Sequence, residues 1–172
     1  MLTSVGVDRV LTIDLHAQQI QGFFDIPVDH LWARSELESV IRDMELDNLV
    51  VCSPDVGGVK LARAWGKSLQ APLVIVDKRR VSGEKVVMEN VIGDVDGCNV
   101  LITDDMISTA GTITEAARIL KDKGADRIII AATHAVLCGP AVERLQNSCA
   151  ETVLVSNTIP LRGELPSNLR VV

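Results

Sequence analysis

The 172-residue sequence is poor in aromatic residues, with two Phe, two Trp and no Tyr. Few side chains are therefore available to stack on a nucleobase. It also lacks a basic surplus, since 17 Lys and Arg stand against 23 Asp and Glu, for a formal net charge of −6. Extended nucleic-acid or anionic-membrane surfaces need the opposite balance. We expect neither nucleic acid nor a membrane as a partner, and any phosphate contact must be local.

Long apolar segments and paired cysteines are lacking as well. The longest apolar runs, such as Ile128–Ala132, fall far short of the roughly 20 residues that a membrane helix needs. No basic segment leads into an apolar one at the N-terminus, and we expect a cytoplasmic location. The cysteines form no CxxC pair and no metal-ligand spacing, which favours reduced thiols. They are Cys52, Cys98, Cys138 and Cys149.

Short apolar runs alternate with helical patterns along the chain. The runs are continuous and rich in β-branched residues, which is typical of strands covered on both faces. They occupy 10–13, 49–52, 73–76, 100–103, 128–131 and 153–155. Between them, Ser35 with Glu38 predicts a capping box that starts a helix, and Gly124 predicts a helix end. The predicted fold class is α/β, with a mostly parallel, doubly wound sheet.

The strand predicted to end at Thr103 is followed by the most informative segment. Ligands bind at the carboxyl ends of strands in such sheets, and here Asp104 and Asp105 come first. Small residues follow them, namely Ser108, Thr109, Ala110, Gly111 and Thr112. Carboxylates can accept hydrogen bonds from vicinal ribose hydroxyls, while hydroxyls, N–H groups and a helix N-terminus can hold a phosphate. The segment predicts a sugar-phosphate site; the alternative is a Thr112–Glu115 capping box beside solvated aspartates.

Two other strand ends carry candidate metal ligands. Asp55 follows the run ending at Cys52 and precedes Gly57-Gly58, so it could hold a metal directly or through water. The alternative is an ordinary strand-to-helix turn. His16 follows the first strand and is either a metal or triphosphate ligand or a structural histidine.

The dense basic cluster Lys78-Arg79-Arg80 follows the run ending at Val76. Residues 79–89 show no helical periodicity, which predicts a mobile loop that closes on negative charge and excludes water. The alternative for these cations is a solvated charge run.

Taken together, these segments resemble the ribose-phosphate diphosphokinase family, whose members make phosphoribosyl diphosphate. The segment 104–112 resembles a motif that this family shares with the type I phosphoribosyltransferases. The segments more specific to the synthetases are 14–17, 19–24, 53–59, 77–80, 90–94 and 139–141. The resemblance covers essentially the whole chain. It implies ATP and ribose 5-phosphate as substrates, AMP and phosphoribosyl diphosphate as products, Mg²⁺ as cofactor, and a dimer-based homo-oligomer that is a hexamer in the full-length family.

The resemblance also implies a role for each candidate residue. His16 and Asp55 match residues that bind Mg²⁺ and the ATP phosphates. Lys78 and Arg80 match the catalytic pair that stabilises the transferring diphosphate and also binds the ATP phosphates. Asp104, with Asp105 beside it, matches a ribose-hydroxyl ligand, and 108–112 match the loop that holds the 5-phosphate.

The sequence departs from the family pattern in composition and in extent. Ser108 stands where the family usually has Asp, and 81–85 differ from the usual Pro-rich, Asn-bearing loop. We expect residues 1–27 to be the last strand and exit segment of an otherwise missing N-terminal α/β domain, and 28–172 to be a phosphoribosyltransferase-like ribose-phosphate-binding domain. The activity of the chain alone stays open. The alternatives are a phosphoribosyltransferase and a non-catalytic regulatory or assembly subunit of a synthetase.

Overall fold

Strands and helices alternate along the chain in a computed structural model, which describes residues 1–81 and 86–172 and, at 78–81 and 86–89, the backbone alone. The elements in chain order are β1 (Val10–Ile13), β2 (Val28–Leu31), α1 (Arg34–Asp43), β3 (Leu49–Ser53), α2 (Val59–Leu69), β4 (Leu73–Val81), β5 (Val86–Ile92), β6 (Asn99–Ile107), α3 (Gly111–Asp122), β7 (Ile128–Ala135), α4 (Ala141–Gln146), β8 (Thr152–Val155) and β9 (Leu169–Val171). Short 3-10 helices occupy Thr3–Val5 and Gln18–Phe23.

A seven-stranded sheet in the order β5-β4-β3-β6-β7-β8-β9 forms the frame. Its neighbouring strands are parallel, except that β4 and β5 pair antiparallel. The predicted α/β class with a mostly parallel sheet is therefore confirmed. Since β3, β6 and β7 run in the same direction side by side, their carboxyl ends lie along one edge of the sheet.

Apolar side chains pack on both faces of the sheet, as the continuous runs predicted. Val100 and Ile102 of β6 belong to one buried cluster, which includes Ile113 of α3, whereas Leu101 belongs to a second. The second cluster includes Leu37, Ile41, Ala62 and Trp65 of α1 and α2. Burying one large aliphatic side chain contributes roughly 1.5–3 kcal/mol. This double cover holds the central strands, and with them the edge where their carboxyl ends lie.

Strand β6 is longer than its apolar run predicted. Its parallel pairing with β7 continues past Thr103 to the pair Ile107 and Ala135. Asp104 and Asp105 therefore lie inside the strand, not in a loop after it. The hydrogen-bond ladder thus extends beyond the buried apolar layer, to residues 104–106, which are only half-buried.

The loop predicted at 79–89 is wrong for most of its length. Strand β4 continues to Val81 and pairs with β5 from Ile75 opposite Ile92 to Val81 opposite Val86. The β-branched residues of β5 favour a strand, and an edge hairpin tolerates the interspersed charges. Residues 82–85 lie outside the described residues.

The two predicted helix boundaries have different outcomes. The Ser35–Glu38 capping box is wrong, because α1 begins at Arg34 with Ala33 at the N-cap and no side-chain cap. Glu38 instead accepts a hydrogen bond from the Ser68 hydroxyl at 2.6 Å. The predicted end at Gly124 is confirmed, since α3 ends at Asp122 and Gly124 has φ of +93°.

Strands β1 and β2 form a separate two-stranded parallel sheet, with Val10 opposite Val28 and Ile13 opposite Leu31. This pairing spans the predicted domain boundary between residues 27 and 28, which stays a prediction.

The four cysteines are free thiols, as predicted. Within the described part of the chain, no helix combines the length and apolar character needed to cross a bilayer.

Candidate functional site

Two adjacent carboxylates mark the carboxyl end of β6. The N–H of Asp105 donates to Oδ1 of Asp104 at 2.9 Å. Burial raises the pKa of Asp104 to about 7, and the negative charges of Asp105 and Asp55 add to that rise. Asp55, at the end of β3, is therefore close enough to repel the Asp104 carboxylate. The strand ends concentrate acidic groups that a cation or hydroxyl donors would relieve.

His16 reaches this acidic group from the β1 side. Its Nδ1 lies 2.7 Å from Oδ2 of Asp105, and 73% of its side chain is exposed. This hydrogen bond and the charges of Asp105 and Asp104 raise the pKa of His16 above its usual value. The shared metal role of His16 and Asp55, which the resemblance implies, stays a prediction; the hydrogen-bond partner of His16 in the structure is Asp105. Among the described residues, no group of three or more His, Cys, Asp or Glu side chains is placed to hold a metal ion.

A buried polar network anchors the segment that carries His16. Asp14 has φ of 42°, and its Oδ2 accepts hydrogen bonds from Oγ1 of Thr133 at 2.6 Å and from the N–H of Ala33 at 3.0 Å. His134 Nε2 lies 2.9 Å from the carbonyl oxygen of Ile13 and 3.1 Å from that of Asp14. These contacts tie the end of β1 to the end of β7. Sequence reasoning missed this anchor.

Residues 108–110 connect β6 to α3, whose first residues are Gly111 and Thr112, and the carbonyl oxygens at the start of this connection accept hydrogen bonds from one side. Those of Ile107 and Ser108 accept the backbone N–H groups of Leu137 and Cys138, both at 3.0 Å. Thr109 O accepts Nη1 of Arg144 at 2.9 Å. Acceptors that would repel a phosphate are therefore held by the segment after β7.

The donors of the same loop are left available. No acceptor within the described residues takes the backbone N–H of Ser108, Thr109 or Ala110. Ala110 is the N-cap of α3, with φ of 60° and no side-chain cap, so the first N–H groups of the helix also lack a partner there. The alternative Thr112–Glu115 capping box is wrong, because α3 begins at Gly111, which places Thr112 inside the helix and Ala110 at its N-cap without a side-chain cap. The loop offers donors and a helix N-terminus to an anion.

Asp55 sits in a tight turn after β3. Its Oδ1 accepts the N–H of Gly58 at 3.0 Å, and its carbonyl oxygen accepts the Ser53 hydroxyl at 2.7 Å. A Cβ on Gly58 would lie 2.8 Å from the Ser53 hydroxyl oxygen, so this position requires glycine. The turn thus has structural reasons of its own, and the ligand role of Asp55 stays a prediction.

The basic cluster lies in the β4–β5 hairpin. Lys78 pairs with Glu89 and Arg80 with Val87 through the backbone. Their side chains lie outside the described part of the chain, so the catalytic assignments of Lys78 and Arg80 stay predictions.

Sequence reasoning missed two residues that contact the loop between β6 and α3. Arg144 holds Thr109, and Cys138 Sγ lies 3.1 Å from the Ser108 hydroxyl oxygen. A signal for Cys138 was present, because it lies shortly after β7 at the same sheet edge, whereas Arg144 on α4 had none.

Comparison with known proteins gives a consistent result. The family model described as "Phosphoribosyl synthetase-associated domain" matches residues 48–167. The chain is 53% identical over 173 residues to a ribose-phosphate pyrophosphokinase of Chromobacterium violaceum, a match covering 99% of this chain and 53% of that protein. It spans about half the length of the curated relatives it matches.

Solved structures agree with the sequence relatives. Phosphoribosylpyrophosphate synthetase from Mycobacterium smegmatis superposes with a TM-score of 0.91 at 43% identity, covering 99% of this chain and 56% of that one. A purine phosphoribosyltransferase from Pyrococcus horikoshii has a TM-score of 0.52 at 19% identity, covering 96% of this chain and 87% of that one, which shows a shared fold alone.

Proposed function

The chain belongs to the phosphoribosyl synthetase-associated domain family, and from this we propose that it is the ribose-phosphate-binding portion of a ribose-phosphate pyrophosphokinase. The complete protein would transfer a diphosphoryl group from ATP to ribose 5-phosphate and release AMP. One observation carries the proposal: Asp104 and Asp105 lie near the carboxyl end of the same strand that leads into the loop 108–112, where N–H groups face no acceptor among the described residues. A sugar phosphate needs both features at this short separation.

The carboxylates are suited to the sugar. Vicinal ribose hydroxyls donate hydrogen bonds, and ionised carboxylates accept them. Because the pKa of Asp104 is raised to about 7, this group is partly protonated near neutral pH. Hydroxyl donors favour its ionised form, so ribose binding and loss of this proton would be coupled.

The residues also fit Mg²⁺, which we propose as the cofactor. Mg²⁺ usually takes one or two carboxylates, with substrate phosphates and water completing its shell. Since the ion takes few protein ligands, a preformed three-ligand cluster is not required, and the described residues hold none. The negative charges of Asp105 and Asp55 disfavour ionised Asp104, which indicates a site where a cation would be favoured. By the family resemblance we assign His16 and Asp55 to Mg²⁺ and the ATP phosphates. When bound, the ion would offset phosphate charge and polarise phosphoryl oxygens.

Lys78 and Arg80 are the residues that we propose to bind the ATP phosphates and stabilise the transferring diphosphate. A transferring diphosphoryl group gains charge on its oxygens, which fixed cations stabilise. The hairpin that carries both residues is joined to β3 through β4, and Asp55 follows β3 directly. The chain's contribution is mainly positioning: the loop holds the phosphate, the carboxylates orient the ribose, and little acid–base chemistry is needed.

A homo-oligomer in the cytoplasm is the remaining part of the proposal. Large apolar side chains are exposed in the first 32 residues, including Phe23 at 86%, Val5 at 78% and Leu11 at 63%, and an assembled protein would cover them. The four free thiols agree with a reducing compartment. Sedimentation analysis of the purified chain tests the assembly, and a monomer at all concentrations would contradict it.

The binding proposal is tested on the chain itself by calorimetry with Mg²⁺ and either ribose 5-phosphate or phosphoribosyl diphosphate. We expect binding, and we expect Asp104→Asn to weaken it about tenfold through loss of a charge-assisted acceptor. Asp43→Asn, at an exposed position on α1, is the matched control and should bind like the parent. Lack of binding of both ligands at millimolar concentration would contradict the proposal. Release of diphosphate that depends on an added nucleobase would favour a phosphoribosyltransferase instead.

A further inference from the structure

The guanidinium of Arg144 contacts the proposed phosphate-binding loop, 108–112, from the side of α4. Arg144 lies on α4, is exposed, and donates from Nη1 to Thr109 O at 2.9 Å. The same Nη1 would lie 3.1 Å from a Cβ added at Gly111, so the guanidinium also packs against the start of α3. We propose that Arg144 is a positioning residue that keeps the loop in its phosphate-binding conformation. This inference rests on the proposed function in one respect, that the loop receives a phosphate.

The anchors of the four carbonyls from Ile107 to Ala110 differ in kind. Ile107 and Ser108 are held by backbone N–H groups, and Ala110 by the N–H and hydroxyl of Thr114. Thr109 is held by a side chain, and that side chain carries a charge. The peptide between Thr109 and Ala110 is therefore the one whose orientation depends on a single replaceable group.

Peptide geometry explains why this orientation matters for an anion. The C=O and N–H of a trans peptide point in opposite directions. When Arg144 fixes the Thr109 carbonyl on the α4 side, the Ala110 N–H must point to the opposite side, where no described residue accepts it. A hydrogen bond from a cation to the carbonyl also polarises the peptide and strengthens the N–H as a donor.

The conformation held in this way is a strained one. Ala110 has φ of 60°, in the left-handed region that alanine disfavours, and it is buried. A rotation of the 109–110 peptide by half a turn would relieve that strain. It would also turn the Thr109 carbonyl towards the phosphate, where it would repel the anion. Arg144 opposes this rotation and so favours the arrangement in which the Ala110 N–H faces the anion.

Arg118 of α3 provides a matched control. It lies with Arg144 along the open groove between α3 and α4, but its guanidinium contacts Glu115 at 2.9 Å and Asp122 at 2.6 Å. Replacing Arg118 removes the same charge from the same groove without changing the anchor of Thr109.

The experiment is an amide NMR titration with inorganic phosphate and, separately, with ribose 5-phosphate. We expect Arg144→Met to weaken inorganic phosphate binding about 5- to 30-fold and to reduce the phosphate-induced shift of the Ala110 amide. Arg144→Lys should restore part of the affinity, and Arg118→Met should leave it unchanged. Ala110→Gly added to Arg144→Met should also restore part, because glycine adopts positive φ without strain.

Each outcome bears on the inference. Equal phosphate affinity of Arg144→Met and the parent would overturn it, as would a parent Ala110 amide that does not respond to phosphate. An equal loss of phosphate affinity in Arg118→Met would mean that Arg144 acts only through its charge, and it would also overturn the inference. If inorganic phosphate binds in an Arg144-dependent way while ribose 5-phosphate does not bind, the inference stands and the proposed function fails.

Discussion

Replacement of Asp104 by Asn should change how stability depends on pH. Burial and the neighbouring acidic groups raise the pKa of Asp104 from 3.8 to about 7. Between these values the folded state holds a proton that the unfolded chain has lost, so stability falls as the pH rises through this window. At 1.36 kcal/mol per pKa unit, the full shift sets a ceiling of roughly 4 kcal/mol. From about pH 5 to about pH 8 the expected loss is roughly 2–3 kcal/mol.

Asp104→Asn removes this titration and keeps the oxygen that accepts the Asp105 N–H. Urea unfolding at several pH values should show the variant more stable than the parent above about pH 7, with a difference that shrinks on acidification. Asp43→Asn makes the same change of charge at an exposed site and should keep the parental slope. Parallel pH profiles for Asp104→Asn and the parent would refute the argument, because they would mean that Asp104 ionises as easily folded as unfolded.

Three further predictions concern the surroundings of the site and the fold. Asp105→Asn should lower the pKa of His16 towards 6.5, since the hydrogen bond and charge of Asp105 raise it, and an unchanged imidazole titration by NMR would contradict this. Thr133→Val should destabilise the protein by roughly 1–3 kcal/mol in urea unfolding, because the buried Asp14 carboxylate loses a donor at 2.6 Å. Gly124→Ala should cost about 1 kcal/mol or more in thermal unfolding, as alanine resists φ of +93°; an unchanged melting temperature would refute it.

The central sheet could be predicted because its strands are defined by burial. Continuous apolar runs in β3, β6 and β7 mark positions covered on both faces. The missed strands are of another kind: β2 and β9 have no buried residues, the described side chains of β5 at 90–92 are not buried, and the pairing of all three comes from neighbouring strands. A strand formed at an edge by tertiary pairing leaves a weak pattern in its own sequence.

The site divides along similar lines. Asp104, Asp105 and the loop after them could be predicted as site residues because carboxylate and hydroxyl side chains follow a buried apolar run. The contact of His16 with Asp105 could not, because it joins positions 89 residues apart through a network that starts at Asp14. Arg144 was missed since a lone exposed arginine on a short helix carries no pattern of its own.

The two halves of the site share one support, the end of β7 and the segment after it. Thr133 and His134 hold the end of β1, which carries His16 to the carboxylates. A few residues later, Leu137, Cys138 and Arg144 hold the carbonyls at 107–109. A shift of the end of β7 would therefore move His16 and the loop 108–110 together.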